Sequence, residues 1–278
     1  MDTIFALASA PGKAGISIVR LSGPLAINVA EKLTKSKLKE KQPNLRVIYD
    51  TDNHFIDQAL ILIFSKPYSF TGENVVEFHL HGSSAVVSSV IKLLGNFKGL
   101  RSAEAGEFTR CALDNGKLDL ARVEGLADLI EAETDAQHKQ AARIFNGALG
   151  EKTKEWRAKL VKAGALLVAT LDFADEEVPE EVTPEVEKLI NMVLSDLDKQ
   201  IIGVQTAERI RSGFEVAIVG APNLGKSTLL NYLVGRDAAI TSNVSGTTRD
   251  IIEVKLDLRG LPVTILDTAG IRISDDKL

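Results

Sequence analysis

The segment Gly220-Ala-Pro-Asn-Leu-Gly225-Lys226-Ser227 constrains the fold more than any other stretch of the chain. It has the G-x-x-x-x-G-K-[ST] spacing of a phosphate-binding loop. It also sits where such a loop must sit, between the apolar run Glu215-Val-Ala-Ile-Val219, read as a short buried strand, and a helix predicted over 227–234. Glycines let successive backbone N–H groups turn inward around phosphates, and the following helix N-terminus adds partial positive charge. Lys226 can then reach the β and γ phosphates, and the Ser227 hydroxyl is a Mg²⁺ ligand. A chance glycine turn has no reason to fall between a strand and a helix.

Two further segments narrow the nucleotide. Gly246-Thr-Thr-Arg-Asp250 is polar and precedes a predicted strand over 251–258, so Thr248 is placed to close on Mg²⁺ and the γ phosphate as a switch loop does. Asp267-Thr-Ala-Gly270 follows the apolar run Val263–Leu266. There Asp267 reads as a group behind the Mg²⁺, and the Gly270 N–H is available to the γ phosphate. Loop, threonine pair and D-T-A-G in this order resemble a translation-factor-type GTPase. Lys226, Thr248 and Gly270 are the catalytic candidates. Ile271 stands where Ras-like enzymes carry a water-orienting glutamine, so another group must position the water.

Upstream, the texture is different. Residues 1–118 alternate strand and helix signals: strands over 16–21, 59–64 and 75–80, a turn at 68–72, a helix over 85–94 and a lysine-rich loop over 35–41. This reads as an α+β domain. From 119 to 212 the pattern is helical, with Leu120, Val123, Leu126 and Ile130 recurring at helical spacing. A long helix is expected over 136–171, an acidic break at 172–179, and another helix beginning near Pro184, where proline suits a first turn. These helices look like an unfinished bundle. Residues 213–278 open an α/β nucleotide-binding domain. The expected fold class is therefore multidomain α+β: an N-terminal α+β domain, a helical domain and the start of an α/β P-loop GTPase domain.

Composition excludes some classes. The 278 residues carry 33 basic and 38 acidic side chains, a net charge of −5, which is not the coat of a uniformly basic nucleic-acid binder. One cysteine, Cys111, forms no internal disulfide and suits a reducing, cytoplasmic setting. No apolar run is long enough to span a bilayer, so no membrane association is expected. His79 and His81 lie two apart on one strand face and read as a satisfied structural pair; Cys111 and Trp156 read as packing.

Three N-terminal motifs go further: Ala10-Pro-Gly-Lys-Ala-Gly-Ile-Ser-Ile-Val-Arg-Leu-Ser-Gly23, Ser69-Phe-Thr-Gly-Glu-Asn-Val-Val-Glu-Phe-His-Leu-His-Gly82 and Ala105-Gly-Glu-Phe-Thr-Arg-Cys-Ala-Leu-Asp-Asn-Gly-Lys-Leu-Asp-Leu120. With the GTPase motifs they closely resemble the MnmE (TrmE) tRNA-modification GTPase family, over all 278 residues. Ser83, Leu113-Asp114, Cys111 and Ala174 depart from the family's usual residues. The resemblance implies a G domain inserted into the helical domain, and a chain cut inside that G domain. It implies GTP contacts from Asn223, Leu224, Gly225, Lys226, Ser227 and Thr228, from Ser242, Asn243, Val244, Ser245, Gly246, Thr247 and Thr248, and from Asp267, Thr268, Ala269 and Gly270. Mg²⁺ falls to Ser227 and Thr248. K⁺ falls to Asn223, Ser242, Val244 and Thr247, in place of an arginine finger.

The same resemblance implies that the N-terminal domain dimerises and binds 5-formyl- or methylene-tetrahydrofolate through Arg20, Glu77 and Lys117. A carboxylate can accept the paired N–H donors of a pterin edge, and a cation can meet the folate's glutamate tail. The implied reaction, with the flavin-dependent partner MnmG (GidA), adds an aminomethyl-type group at C5 of the wobble uridine of certain tRNAs. The family's guanine-reading N-K-x-D, its catalytic glutamate and its terminal Cys-x-Gly-Lys fall beyond Leu278, so this chain alone is expected to bind GTP poorly and to be inactive. A GTP-switched ribosome-assembly factor of the Era or EngA type is the alternative. Residues 1–118 discriminate, because such a factor has no use for a folate triad.

Overall fold

The computed structural model describes residues 2–172, 182–220, 224–233 and 252–267. They form two compact units, dividing after Leu120. The class is multidomain α+β, with a six-stranded sheet in the first unit and helices plus a three-stranded sheet in the second.

The first unit runs β1 (Thr3–Leu7), β2 (Ala14–Ser22), α1 (Ala26–Thr34), β3 (Asn44–Tyr49), β4 (Phe55–Phe64), β5 (Val75–Gly82), α2 (Ser84–Gly95), β6 (Leu100–Ser102) and α3 (Glu107–Asp114). Its sheet has the order β3-β4-β5-β2-β1-β6, antiparallel throughout except that β6 lies parallel to β1. Alternation along the strands separates two faces. Val19, Leu21, Ile61, Ile63, Phe78 and Leu80 point inward and pack with Val29 and Leu33 of α1 and Val90 and Leu94 of α2. The opposite face carries the intervening residues. There the register sets Leu60 and Ile18 on either side of His79, and Leu62 and Arg20 on either side of Glu77.

The second unit contains α4 (Leu120–Glu131), α5 (Asp135–Phe145), α6 (Ala148–Asp172), α7 (Val182–Ser212), β7 (Phe214–Ile218), α8 (Lys226–Leu233), β8 (Ile252–Leu258) and β9 (Leu261–Asp267). The single helix expected over 136–171 is in fact two. Gly147 at φ +91° breaks it, a backbone conformation that L side chains rarely adopt and glycine adopts freely. At its other end α5 starts on a capping box, with Thr134 as N-cap and Gln137 closing it. The ion pairs Lys152–Asp196 (3.1 Å) and Lys162–Glu185 (2.6 Å) show that α6 and α7 run antiparallel. Ala163, Val186 and Val193 are buried. Trp156, read as packing, also donates its Nε1–H to Asp196 Oδ2 at 2.9 Å. The acidic break falls largely outside the described residues.

The small sheet has the order β7-β9-β8, with β7 parallel and β8 antiparallel to β9. Leu256, Val263 and Ile265 form its core. The first strand departs from expectation: β7 is largely exposed rather than buried, and among the described residues only its Ile218 packs against the core at β8 and β9.

One charged contact holds α3 to the first sheet. Arg101 donates from Nη1 and Nη2 to the two oxygens of Glu107, at 2.9 and 2.5 Å. The Glu104 N–H adds a third bond at 2.8 Å. The guanidinium, then that N–H, hold the Glu107 carboxyl down at about 2 against an ordinary 4.5. A folded value below the ordinary one means that this stabilisation is present above about pH 4.5 and lost as pH falls towards 2. Arg101 is 44 % exposed, so solvent screens part of it. Glu107→Gln should lower the melting temperature of the first unit at pH 7 by on the order of 5 °C. It should also flatten the pH dependence of melting across the acid window, as followed by circular dichroism.

Candidate functional sites

On the outer face of the first sheet, β2 and β5 place Arg20 directly opposite Glu77. The guanidinium donates twice to one carboxylate oxygen, from Nε at 2.9 Å and Nη2 at 2.8 Å, both to Oε1. It also lies 5.6 Å from the ring centres of both Phe70 and Phe108, within cation–π range. The pair is thus mostly desolvated, with side chains 26 % and 14 % exposed.

Phe70 is delivered by the loop 65–74, which a hydrogen-bond network fixes. Ser22 Oγ donates to Glu73 Oε2 at 2.8 Å. Its only hydrogen is then used, so the 2.7 Å contact between Ser22 Oγ and Thr71 Oγ1 has the threonine donating. Thr71 Oγ1 accepts in turn from the Glu73 N–H, and Asn115 Nδ2 donates to the Thr71 carbonyl at 2.7 Å. Ser22 and Thr71 are fully buried. Gly72 at φ +79° makes this turn possible, and a Cβ there would sit 3.0 Å from Asn115 Cβ and 3.3 Å from Lys117 Cε.

Of the three folate candidates, Arg20 and Glu77 are therefore in direct contact. Lys117 lies against Gly72 on the same loop, two residues from the Phe70 ring that covers Arg20. The histidines are not a matched pair. His81 Nδ1 bonds the buried Asp57 Oδ1 at 2.7 Å, and the His81 N–H bonds Asp57 Oδ2 at 2.9 Å. His79 Nε2 is buried without a hydrogen-bond partner; it lies 3.5 Å from Glu77 Oε2 but is not aligned for a bond. Cys111 is half-buried, and burial first, then the carboxylate of Glu73, push its thiol up, which keeps it protonated. Phe70 and Phe108 are neighbours of the pair that the sequence reading did not single out, and His79 was expected there only as half of a satisfied structural pair. The first two lie inside the diagnostic motifs, and His79 shares the face of Glu77 by simple alternation.

In the second unit, β7 leads into the phosphate loop and α8 begins at Lys226. Gly225 is at φ +81°, and Leu224 and Thr228 are exposed. Lys226 Nζ donates to the Gly220 carbonyl at 2.8 Å, folding the side chain back over the loop. The register of β7 on β9 pairs Ile218 with Asp267. The loop and the start of D-T-A-G thus leave the carboxyl ends of two adjacent parallel strands, where α/β sheets bind ligands. Ser227 is in the first turn of α8. Asn223, Ser242, Asn243, Val244, Ser245, Gly246, Thr247, Thr248, Thr268, Ala269 and Gly270 lie outside the described residues.

Comparison with known proteins gives a consistent result. Residues 3–117 match the family described as GTP-binding protein TrmE N-terminus, and residues 120–275 match the MnmE helical domain. The chain is 61 % identical over 278 residues to the tRNA modification GTPase MnmE of Roseobacter denitrificans, covering all of this chain and 65 % of that protein. It is 59 % identical to the protein of that name from Ruegeria sp. (strain TM1040), over 99 % of this chain and 64 % of the relative. With the Dinoroseobacter shibae protein, also so named, identity is 57 %, over 100 % and 65 % respectively. The chain thus spans about 65 % of the length of the curated relatives it matches.

The loop network makes one mutation diagnostic. Thr71→Val keeps the shape but removes the hydroxyl that donates to Ser22 and accepts from Glu73. Leaving these buried groups unpaired should cost about 1–3 kcal/mol. Urea unfolding of the first unit should show a lower midpoint with an unchanged slope.

Proposed function

Because the chain belongs to the MnmE family, whose curated relatives carry the name tRNA modification GTPase, we propose that it is part of a GTP-hydrolysing tRNA-modification enzyme. In this reading it works in the cytoplasm with the flavin-dependent protein MnmG (GidA). It adds an aminomethyl-type group at C5 of the wobble uridine of certain tRNAs, with a one-carbon unit from 5-formyl- or methylene-tetrahydrofolate. Its domains are 1–118 for folate binding and dimerisation, 119–212 for the first part of the helical domain, and 213–278 for the opening of the GTPase domain.

The observation that carries this reading is the Arg20–Glu77 pair held between two phenyl rings on a sheet face. A ribosome-assembly switch needs the phosphate loop but not this pocket. The residues fit a reduced folate. A flat ring can slide against Phe70 and Phe108, Glu77 Oε2 can accept a ring N–H, and Arg20 and Lys117 suit an anionic tail. Bound tetrahydrofolate would supply the one-carbon unit. The protein's part is to orient the ring and keep water from it. The same face leaves Ile16, Leu45, Leu60 and Phe64 exposed, an apolar surface that suits a homodimer.

For the nucleotide, Asn223–Thr228 would wrap the phosphates, with Lys226 leaving Gly220 to reach them. Ser227 and Thr248 would hold Mg²⁺. Asn223, Ser242, Val244 and Thr247 would hold K⁺ through amide, hydroxyl and carbonyl oxygens, a donor set suited to hard cations. Asp267 and Gly270 complete the GTP site from the other strand end.

Two measurements test the reading. Nucleoside analysis of tRNA from a strain lacking the gene should show unmodified wobble uridine; an unchanged profile would sink the proposal. In the chain extended to its relatives' full length, GTP hydrolysis should be fast in KCl and slow in NaCl. Asn223→Ala should erase that difference while leaving nucleotide binding nearly intact.

A further inference from the structure

The outer face of the first sheet contains one polar atom that the internal bonding does not explain. His79 Nε2 has no hydrogen-bond partner and no solvent contact. Buried polar groups in folded proteins are nearly always paired, so an orphan calls for a reason. A general looseness of this strand is not the reason. Two residues on, His81 is bonded through both its ring and its backbone to a dedicated buried carboxylate, Asp57. Nor is His79 needed to neutralise Glu77, because Arg20 already makes two charged bonds to Oε1.

What His79 has instead is position. Antiparallel pairing fixes it on the same sheet face as Glu77, between Leu60 and Ile18. Its ring remains 21 % exposed, but Nε2 is turned inward to within 3.5 Å of Glu77 Oε2, the carboxylate oxygen that Arg20 leaves free. Any donor that a ligand offers to Oε2 therefore lies alongside Nε2. An acceptor and an imidazole N–H side by side match a ligand edge on which N–H donors sit next to a carbonyl. Leu60 and Ile18 make the walls apolar, which suits a flat ring and strengthens each hydrogen bond.

We infer that His79 is a further ligand-binding residue of the Arg20–Glu77 pocket, its Nε2–H held for the ring carbonyl next to the N–H donors that Glu77 takes. The ligand class is a 2-amino-4-oxo bicyclic ring, as in the pterin of a reduced folate. This inference rests on the folate reading given above and names a residue that reading did not contain.

The test uses calorimetry of the 278-residue chain with 5-formyltetrahydrofolate, together with ¹⁵N NMR of its histidine rings. His79→Ala should weaken binding about tenfold, as loss of one well-placed bond does, while His79→Gln, which keeps an N–H donor, should stay within about threefold. In the unmutated chain the ligand should shift the His79 Nε2 resonance and leave that of His81 in place. Should His79→Ala fail to fold, the resonance decides alone. Glu77→Ala separates the two claims. Weakened binding in Glu77→Ala with wild-type affinity in His79→Ala, or an unmoved His79 resonance on saturation, would overturn the role of His79 and leave the folate reading standing. Absence of binding to the unmutated chain would overturn both.

Discussion

The pairing of β2 with β5 is the constraint from which the N-terminal site follows. It puts Arg20 opposite Glu77 on a sheet face whose other positions are largely apolar. A charge pair there loses hydration on both partners, and a desolvated pair is held in place only if its bonds are met. The structure meets them with two bonds to one carboxylate oxygen and two phenyl rings over the guanidinium. Those rings arrive from different elements, Phe70 on a loop and Phe108 on α3. The loop network through Ser22, Thr71, Glu73 and Asn115, and the Arg101–Glu107 clamp on α3, are therefore what keep the pair covered.

The division of labour within the pair has a chemical consequence. With both Arg20 nitrogens on Oε1, the charge of Glu77 is balanced while Oε2 keeps its acceptor capacity. A carboxylate facing water on the same strand would be hydrated and would have no preference for a flat, donor-bearing edge. Burial and half-use together leave Glu77 one uncommitted acceptor oxygen on a largely apolar face.

Much of this was legible in the sequence, and the reason is periodicity. Alternation along 75–80 sets Val76, Phe78 and Leu80 on one face and Glu77 on the other without any structure, whereas 59–64 is apolar throughout and shows a strand but not its faces. The phosphate loop announces itself because glycine spacing, strand and helix agree. Phe70 and Phe108 could not be read this way. Their meeting over Arg20 depends on a loop turn at Gly72 and on a helix 38 residues further along the chain. The helix break at Gly147 is illegible in the sequence for a related reason. Propensity tolerates one glycine in a long helical pattern, and only the backbone, at φ +91° there, shows that the chain turns. The histidines mislead in the opposite sense, since equal spacing suggested equal roles and one carboxylate, Asp57, reaches only His81.

In the second unit the same reasoning applies to a joint rather than a pocket. The β8–β9 hairpin lies between the two nucleotide motifs in the chain, and it meets the start of α5 through Lys255 and Glu133, 2.8 Å apart. Nearby, Arg211 pairs with Asp128 at 2.9 Å, and Gln137 donates to the Arg211 carbonyl. Around these contacts lies a cavity of about 410 Å³, lined by Ile130, Ala141, Leu256 and Val263 among others. Exposed ion pairs contribute little to stability, and a cavity of this size forgoes packing. The hairpin is thus registered on the helices by charge but not locked to them by a core. Its own strands are firmly joined, with Leu256, Val263 and Ile265 buried. The hairpin is thus stiff within itself and only lightly joined to the start of α5.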